Sequence, residues 1–344
     1  MEMLRRGAAW GFLLVAGGVW GLGAARTLAY EVTCARCYGI AGAAGGFLLG
    51  ALAVGLIGWA LERAGRDAGA LLPRFVSLFL PLIDIHGAEY VAWRGPVLLA
   101  GSLVITALGF VRMSQRAWLA VSMLLALAVY LPDVSPYVGR ADTFEFQVIG
   151  PQLGIAHPSG YPLYTLLAKM FSLLPVGTVA WRINLTSVIC ASMTAGMVYL
   201  MLSRGSRPLA LLSALMLAFS PTLWSRAIEA EVYALNALLT AAGLWVVVAW
   251  TDGTLRPRYA WPALGLLMGL ALASHITLGA LGAIALGGLV AAREKPQRRE
   301  WFLAAGLGCL GLLLYVYIPL RWPAVTGGER LSLAAFARYV TNAG

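Results

Sequence analysis

Apolar positions run along this chain in long blocks. Residues 7–25, 39–61, 96–111, 117–131, 179–202, 209–223, 235–250, 261–274, 276–292 and 301–320 are such blocks, divided by short stretches rich in arginine, glycine and proline. About 20 apolar residues carry a helix across a bilayer. The blocks lack period-two alternation and are too long for barrel strands, so they predict membrane helices. Residues 70–88 are less regular, because Pro73, Arg74, Pro81, Asp84 and His86 interrupt them. They read as a crossing, which the parity of the loops favours, or as an interfacial or broken helix. The expectation is an all-α, polytopic transmembrane helical bundle of about eleven spans.

Composition agrees. Hydrophobic residues make up 60% of the 344 positions and charged residues 12%, against about 25% charged in soluble domains. Mean hydropathy is +0.79. The net charge of +10 therefore reads as loop charge obeying the positive-inside rule, with no nucleic-acid partner implied. Arg5 and Arg6 place the amino terminus inside. Arg63, Arg66, Arg112, Arg116, Arg204, Arg207, Arg256, Arg258, Arg293, Lys295, Arg298 and Arg299 then fall on the same side. Arg26 and Arg36 are exceptions. Most of the unusual acids, histidines and aromatic residues fall on the other side, which predicts a multi-pass protein of the cell membrane with an extracytoplasmic active site. The first block follows two arginines without a clear small-residue cleavage site and reads as a retained span. No soluble domain, linker or repeat stands out, and the chain divides into an accessory set of helices over 1–115 and a functional core over 116–344. Cys190 and Cys309 fall in apolar blocks. Cys34 and Cys37 form one CxxC, which lacks the second ligand pair of a zinc site and suits a local disulfide or free thiols.

The longest interruption is residues 142–184. Asp142 and Glu145 share a face if that segment is helical; they could take a proton from an acceptor hydroxyl, hold a divalent cation, or be solvated loop acids. His157, Pro158, Ser159, Gly160, Tyr161 and Pro162 form a rigid non-helical turn. Imidazole and phenol there suit hydrogen bonds to phosphate or sugar, or interfacial anchoring. Tyr164 opens residues 164–174, too short to span, which read as an amphipathic helix at the interface, ended by Pro175 and Gly177. Arg182 and Asn184 lie at a span's outer end, where an arginine snorkels, pairs with Asp142 or Glu145, or meets a lipid-linked phosphate. The sequon at Asn184 falls in a span and is set aside. Glu231, Tyr233 and Asn236 begin another span and could share a cavity or simply serve the helix start. His275 lies between two short apolar helices as a core residue or a ligand. Arg321 ends the last span, either snorkelling or facing an anion. There is no P-loop, GxSxG, HExxH or dinucleotide fingerprint. A lipid or solute transporter, or a scaffold of a membrane complex, is the alternative class. Transporter sites are expected near mid-membrane, whereas these groups crowd one face.

Four blocks carry a family resemblance. The first runs from the acids through Leu153-Gly154, His157-Pro158, Gly160-Tyr161-Pro162-Leu163-Tyr164 and Lys169 to Arg182 and Asn184. The second is Ser220 to Asn236, the third Gly269 to His275, and the fourth Tyr317 to Arg321. Together they resemble the protein O-mannosyltransferase-like membrane proteins of the GT-C glycosyltransferase class, over residues 115–344. The resemblance implies a polyprenyl-phosphate-linked sugar as donor, mannose by the family name, drawn from the lipid bilayer. It implies a protein or glycan acceptor and inverting transfer at the outer face. It assigns the base, or acceptor positioning, to Asp142, with Glu145 beside it. His157, Tyr161, Tyr164, Arg182, Asn184, Glu231, Tyr233, Asn236, His275 and Arg321 become candidates for donor phosphate or sugar. No cofactor is required by this reading, and a divalent cation is a candidate. The family usually reads D-S-G-E where this chain has Asp142-Thr143-Phe144-Glu145. Relatives commonly continue beyond Arg321, so a short or truncated member is expected.

Overall fold

The computed structural model describes residues 2–33, 38–85, 94–274 and 278–342. The Cys34 and Cys37 pair, His86 and His275 lie outside them. The described residues contain helices and loops and no strand.

Among the described residues, six helices are long and apolar enough to cross a membrane: Arg6–Glu31, Ile40–Arg63, Gln115–Asp133, Val179–Leu202, Val232–Thr251 and Arg298–Val325. A seventh results if the bent pair Arg207–Ala218 and Pro221–Ala227 counts as one span. The other apolar blocks form shorter helices. Arg94–Leu108 has 15 residues and Leu278–Ala291 has 14, each well short of the ~30 Å hydrocarbon core at 1.5 Å rise per residue. Residues 68–85 are broken into an α-helix Ala68–Phe75, a 3-10 turn Val76–Phe79 and a short helix Leu82–Ile85. Pro73 and Pro81 remove backbone donors there.

In chain order the helices are α1 Glu2–Leu28, α2 Ile40–Arg63, α3 Ala68–Phe75, α4 Leu82–Ile85, α5 Arg94–Leu108, α6 Gln115–Tyr130, α7 Ala141–Gln152, α8 Pro162–Ser172 and α9 Val179–Leu202. There follow α10 Arg207–Ala218, α11 Pro221–Ala227, α12 Val232–Thr251, α13 Pro257–Leu272, α14 Leu278–Ala291, α15 Arg298–Leu312, α16 Tyr317–Val325 and α17 Leu333–Thr341. They form two compact units: Met1–Leu125 with Leu202–Ser220, and Ala126–Met201 with Pro221–Gly344.

In the first unit α1 and α2 pack backbone to backbone. A methyl group on Gly21 would stand 2.1 Å from the Gly46 carbonyl oxygen, and one on Gly50 would stand 2.1 Å from that of Gly17. Lipid tails give helices no hydrophobic reason to associate, so small residues that allow close approach supply the packing. A polar seam joins the neighbouring helices: Trp20 Nε1 donates to Ser102 Oγ at 2.9 Å, and Ser77 Oγ donates to the Ser102 carbonyl at 3.1 Å.

The second unit uses the same device between α13 and α15, where a methyl on Gly269 would lie 2.2 Å from the Gly308 carbonyl oxygen. A tryptophan cluster fills its apolar interior. Trp261 contacts Trp250 at 5.9 Å and Trp301 at 4.4 Å between ring centres, and Trp250 Nε1 finds the Glu294 carbonyl at 3.0 Å. The candidate site residues named above belong to this unit.

Candidate active site

Asp142 stands in the first turn of α7, where a carboxylate is favoured by the helix dipole. The chain reaches it through a loop that is fastened at every step. Trp224 Nε1 donates to Asp133 Oδ2 at 2.8 Å, Asn184 Nδ2 to the Ser135 carbonyl at 3.2 Å, and Thr178 Oγ1 to the Pro136 carbonyl at 2.6 Å. Gly139 N donates to Gln147 Oε1 at 2.8 Å, while Gln147 Nε2 donates to Asn184 Oδ1 at 2.8 Å. Gln147 and Asn184 are both buried, so their side-chain amides satisfy each other and lock the approach to Asp142.

The far end of α7 is held as firmly. Lys169 Nζ donates to the Pro151 carbonyl at 2.6 Å. Arg321 Nη2 and Nε donate to the Gln152 and Leu153 carbonyls at 3.0 and 2.8 Å. These are cations on the open carbonyls of a helix carboxyl terminus, a favourable match. Tyr317 donates to the Gly154 carbonyl at 2.5 Å, and Tyr339 donates to that of Ala156.

The loop so formed delivers His157 to Glu145. His157 N donates to Glu145 Oε1 at 2.8 Å, and Nδ1 lies 2.5 Å from Oε2. Nε2 then meets the Tyr161 hydroxyl at 3.1 Å. Carboxylate, imidazole and phenol thus form one hydrogen-bonded row. With Nδ1 protonated toward Glu145, Nε2 accepts from Tyr161. Gly160 at φ +89° and Tyr161 at φ +43° turn the chain into α8, whose first residue is Pro162. Phe146 supports the Tyr161 ring edge-on at 5.8 Å.

Asp142 differs from Glu145. Its side chain is exposed and makes no hydrogen bond or ion pair among the described residues. Ligand atoms of Asp142, Glu145 and His157 all lie within 4.8 Å of one another. Two carboxylate oxygens and an imidazole make a donor set that a divalent cation accepts. The acids expected to share a face do so, one turn apart on α7.

The remaining candidates divide into two groups. Tyr164 is fully buried, its hydroxyl 2.9 Å from Ser187 Oγ, and burial pushes its phenol pKa upward. Ser187 Oγ in turn bonds the Glu231 carbonyl at 3.1 Å. Asn236 Oδ1 accepts from Ser274 Oγ at 3.0 Å, next to the undescribed His275. Arg182 Nη1 caps α8 by donating to the Ser172 and Leu174 carbonyls, both at 2.6 Å. Asn184, Arg182 and Arg321 are thus engaged with backbone and amide groups. Glu231 and Tyr233 form the second group. Arg226 Nη1 donates to Glu231 Oε2 at 2.7 Å and its guanidinium lies 5.2 Å from the Tyr233 ring centre.

Electrostatics tie the groups together. Burial raises the Glu231 carboxyl above its usual range, Arg226 opposes this, and the Glu229 and Asp142 charges add to it. Burial also raises the Tyr161 phenol, with further upward pushes from Asp142 and Tyr233. The Asp142 charge thus reaches both Glu231 and Tyr161. Tyr161 also lines a cavity of about 660 Å³ with Pro158, Leu272, Leu312, Tyr315 and Phe336, a size suited to a small ligand.

Gln147, Arg226 and Tyr339 were not singled out from the sequence. Gln147 had a signal, a lone amide inside the apolar run around Phe146 and Val148. Tyr339 had none, because it meets Ala156 from 183 positions away.

Residues 142–300 match the family model described as Protein O-mannosyl-transferase TMEM260 N-terminal domain. Protein O-mannosyl-transferase TMEM260 of Mus musculus is 31% identical over 224 residues, which are 61% of this chain and 31% of the mouse protein. The protein of the same description from Dictyostelium discoideum is 37% identical over 126 residues, 34% of this chain and 15% of that protein. This chain thus spans less than a third of the length of either relative. No solved structure matches. Three of the four sequence blocks fall inside the family match, and the fourth, Tyr317 to Arg321, lies beyond it. Over residues 142–300 the chain is similar to the O-mannosyl-transferase family that this model describes.

Proposed function

We propose that this chain is the catalytic membrane region of an inverting mannosyltransferase, with Asp142 as base. Its donor is a polyprenyl-phosphate-linked mannose and its acceptor a hydroxyl of a protein, met on the extracytoplasmic face. One observation carries the reading. An exposed, unpartnered carboxylate stands beside an ordered Glu145–His157–Tyr161 row, inside a segment whose relatives are named O-mannosyl-transferases.

The acceptor oxygen bonds to the anomeric carbon as the bond from that carbon to the phosphate oxygen breaks. The acceptor proton passes to Asp142, and the electron pair leaves with the polyprenyl phosphate. The leaving group is already a good one, so the base and the electrostatics around the phosphate are what the protein must supply. Asp142 is the free acid of the pair, while Glu145 is committed to His157. The imidazole and the Tyr161 hydroxyl face the donor, with the cavity beside Tyr161 holding part of it. Glu231, Arg226 and Tyr233 bound the opposite wall, with Asn236 near it. Asn184, Arg182, Tyr164 and Arg321 keep these walls in place by fixing α7, α8 and their loops. A divalent cation, where one binds, would be held by Asp142, Glu145 and His157 and would offset donor phosphate charge.

The core of this machine is residues 116–344, in a bundle of about eleven crossings in which the shorter apolar helices pair with their neighbours. In α8 the exposed Met170 and the following Leu173 suit an interfacial position for that helix. The test is direct. The purified chain, given polyprenyl-phosphate mannose and a serine-containing peptide, should yield a mannosyl peptide of inverted anomeric configuration, and slow donor hydrolysis without peptide. Absence of both reactions, with folding intact, would contradict the reading.

A further inference from the structure

The first unit carries a basic cavity whose lining differs from that of the cavity beside Tyr161. This open cavity of about 650 Å³ is lined by Arg66, Arg74, Arg112 and Arg207, together with Phe110 and Trp118, and no acidic residue lines it. Two of the arginines build its wall. Arg74 Nε donates to the Gly109 carbonyl at 3.1 Å, and Arg207 Nη1 donates to the Met113 carbonyl at 2.8 Å. Arg66 and Arg112 are exposed, and their guanidinium groups make no ion pair or hydrogen bond among the described residues. The nearest acid in sequence, Asp67, is occupied in capping α3, where it accepts from Ala70 N at 2.9 Å. The amino-terminal turns of α6 and α10 begin beside the cavity, at Gln115 and Arg207, and add partial positive charge.

Four guanidinium groups without a counter-charge are a costly arrangement unless an anion joins them. Their planar forks match phosphate oxygens. The surroundings specify which anion. The candidate span Ile40–Arg63 ends three residues before Arg66, and the span Gln115–Asp133 begins three residues before Trp118. Trp118 is buried at this level, while Phe110 and Val111 lie open beside the arginines. Aromatic residues at span ends mark the level of lipid headgroups. A free phosphate has no use for these apolar neighbours, whereas a phospholipid presents both a phosphate and the start of its acyl chains.

We propose that this cavity binds the phosphate headgroup of an anionic membrane lipid, with Arg66 and Arg112 as its mobile ligands and Arg74 and Arg207 as its fixed ones. The site is independent of the transferase reading, since its residues lie in the first unit.

The experiment is native mass spectrometry of the full chain in detergent, titrated with phosphatidylglycerol or phosphatidylcholine. Phosphatidylglycerol should be retained in preference. The double variant Arg66→Gln, Arg112→Gln should weaken that retention roughly tenfold or more, from the usual worth of two basic residues at an anionic surface. The control Arg256→Gln, Arg258→Gln removes the same charge from a cavity that also holds Glu294 and Glu300, and should leave retention unchanged. Equal loss in both variants, or no preference for phosphatidylglycerol, would overturn the site. Full displacement of phosphatidylglycerol by millimolar inorganic phosphate would overturn the lipid assignment in favour of a free anion.

Discussion

Asp142 and Glu145 are one helical turn apart, yet their neighbours give them different work. Glu145 receives two hydrogen bonds from His157, at its backbone and its ring. Hydrogen bonds to a charged group contribute about 1.5–3 kcal/mol, so Glu145→Gln should lower kcat roughly tenfold or more while donor binding changes little; steady-state kinetics read the split. Tyr161→Phe removes only the end of the row and should cost less. Glu231 offers a test by pH. Its folded pKa is raised chiefly by burial, so its neutral form is the one the fold favours. The stability it contributes is present below the unfolded pKa and is lost as pH rises through the folded value. Wild type should therefore lose thermal stability relative to Glu231→Gln as pH climbs from below the carboxylate range toward neutrality. A wild type that gains over the glutamine variant across that window would show the shift has the opposite sign. The acids, the histidine and the tyrosine were legible as residue types at a polar break. Which acid is free was not legible, because it depends on where the backbone of His157 falls.

At the scale of elements, the proposed base Asp142 is placed by contacts remote in sequence. Gln147 and Asn184 are 37 positions apart and join α7 to α9 through one buried amide pair. Gln147→Ala removes the partners of Asn184 Oδ1 and Gly139 N, which should destabilise the protein by about 1–3 kcal/mol, measurable by thermal unfolding in detergent, and should lower kcat through a loosened Asp142. Helix packing is equally specific. Gly269→Leu drives a side chain into the backbone of Gly308, 2.2 Å from the first added carbon. Overpacking costs typically ~1–3 kcal/mol, and a backbone obstacle yields less than a side chain does. A reduced yield of folded protein by size-exclusion chromatography should follow. The helices Val179–Leu202 and Val232–Thr251 were plain from apolar length. The breaks at residues 68–85 were legible in Pro73 and Pro81. For Arg182 and Arg321 the sequence leaves snorkelling, ion pairing and phosphate binding open, and in this structure both donate to carbonyls at helix ends. Sequence shows a charge at a span end without showing which carbonyls lie within its reach.

Among the described residues, six helices have the length and composition of spans. α12 has 20 residues, about 30 Å at 1.5 Å per residue, with Glu231 at one end and Asp252 at the other. Single cysteines at Ser225 and at Thr254, in a cysteine-free background, should therefore react with an impermeant reagent from opposite sides of the membrane. Labelling of both from one side would contradict α12 as a crossing. Hydropathy reports length and composition, so it located the apolar blocks and the all-helical class. It does not report how short helices such as Arg94–Leu108 and Leu278–Ala291 fill the bilayer, because their neighbours decide that.

The central claim is that Asp142 takes the acceptor proton. The most direct measurement is single-turnover transfer from polyprenyl-phosphate mannose to peptide by wild type and by Asp142→Asn, with donor binding measured in parallel. Asparagine keeps the shape and removes the base. Transfer should fall by about a hundredfold or more, as loss of a general base does, with donor affinity and folding retained. Full transfer by the asparagine variant would contradict the account.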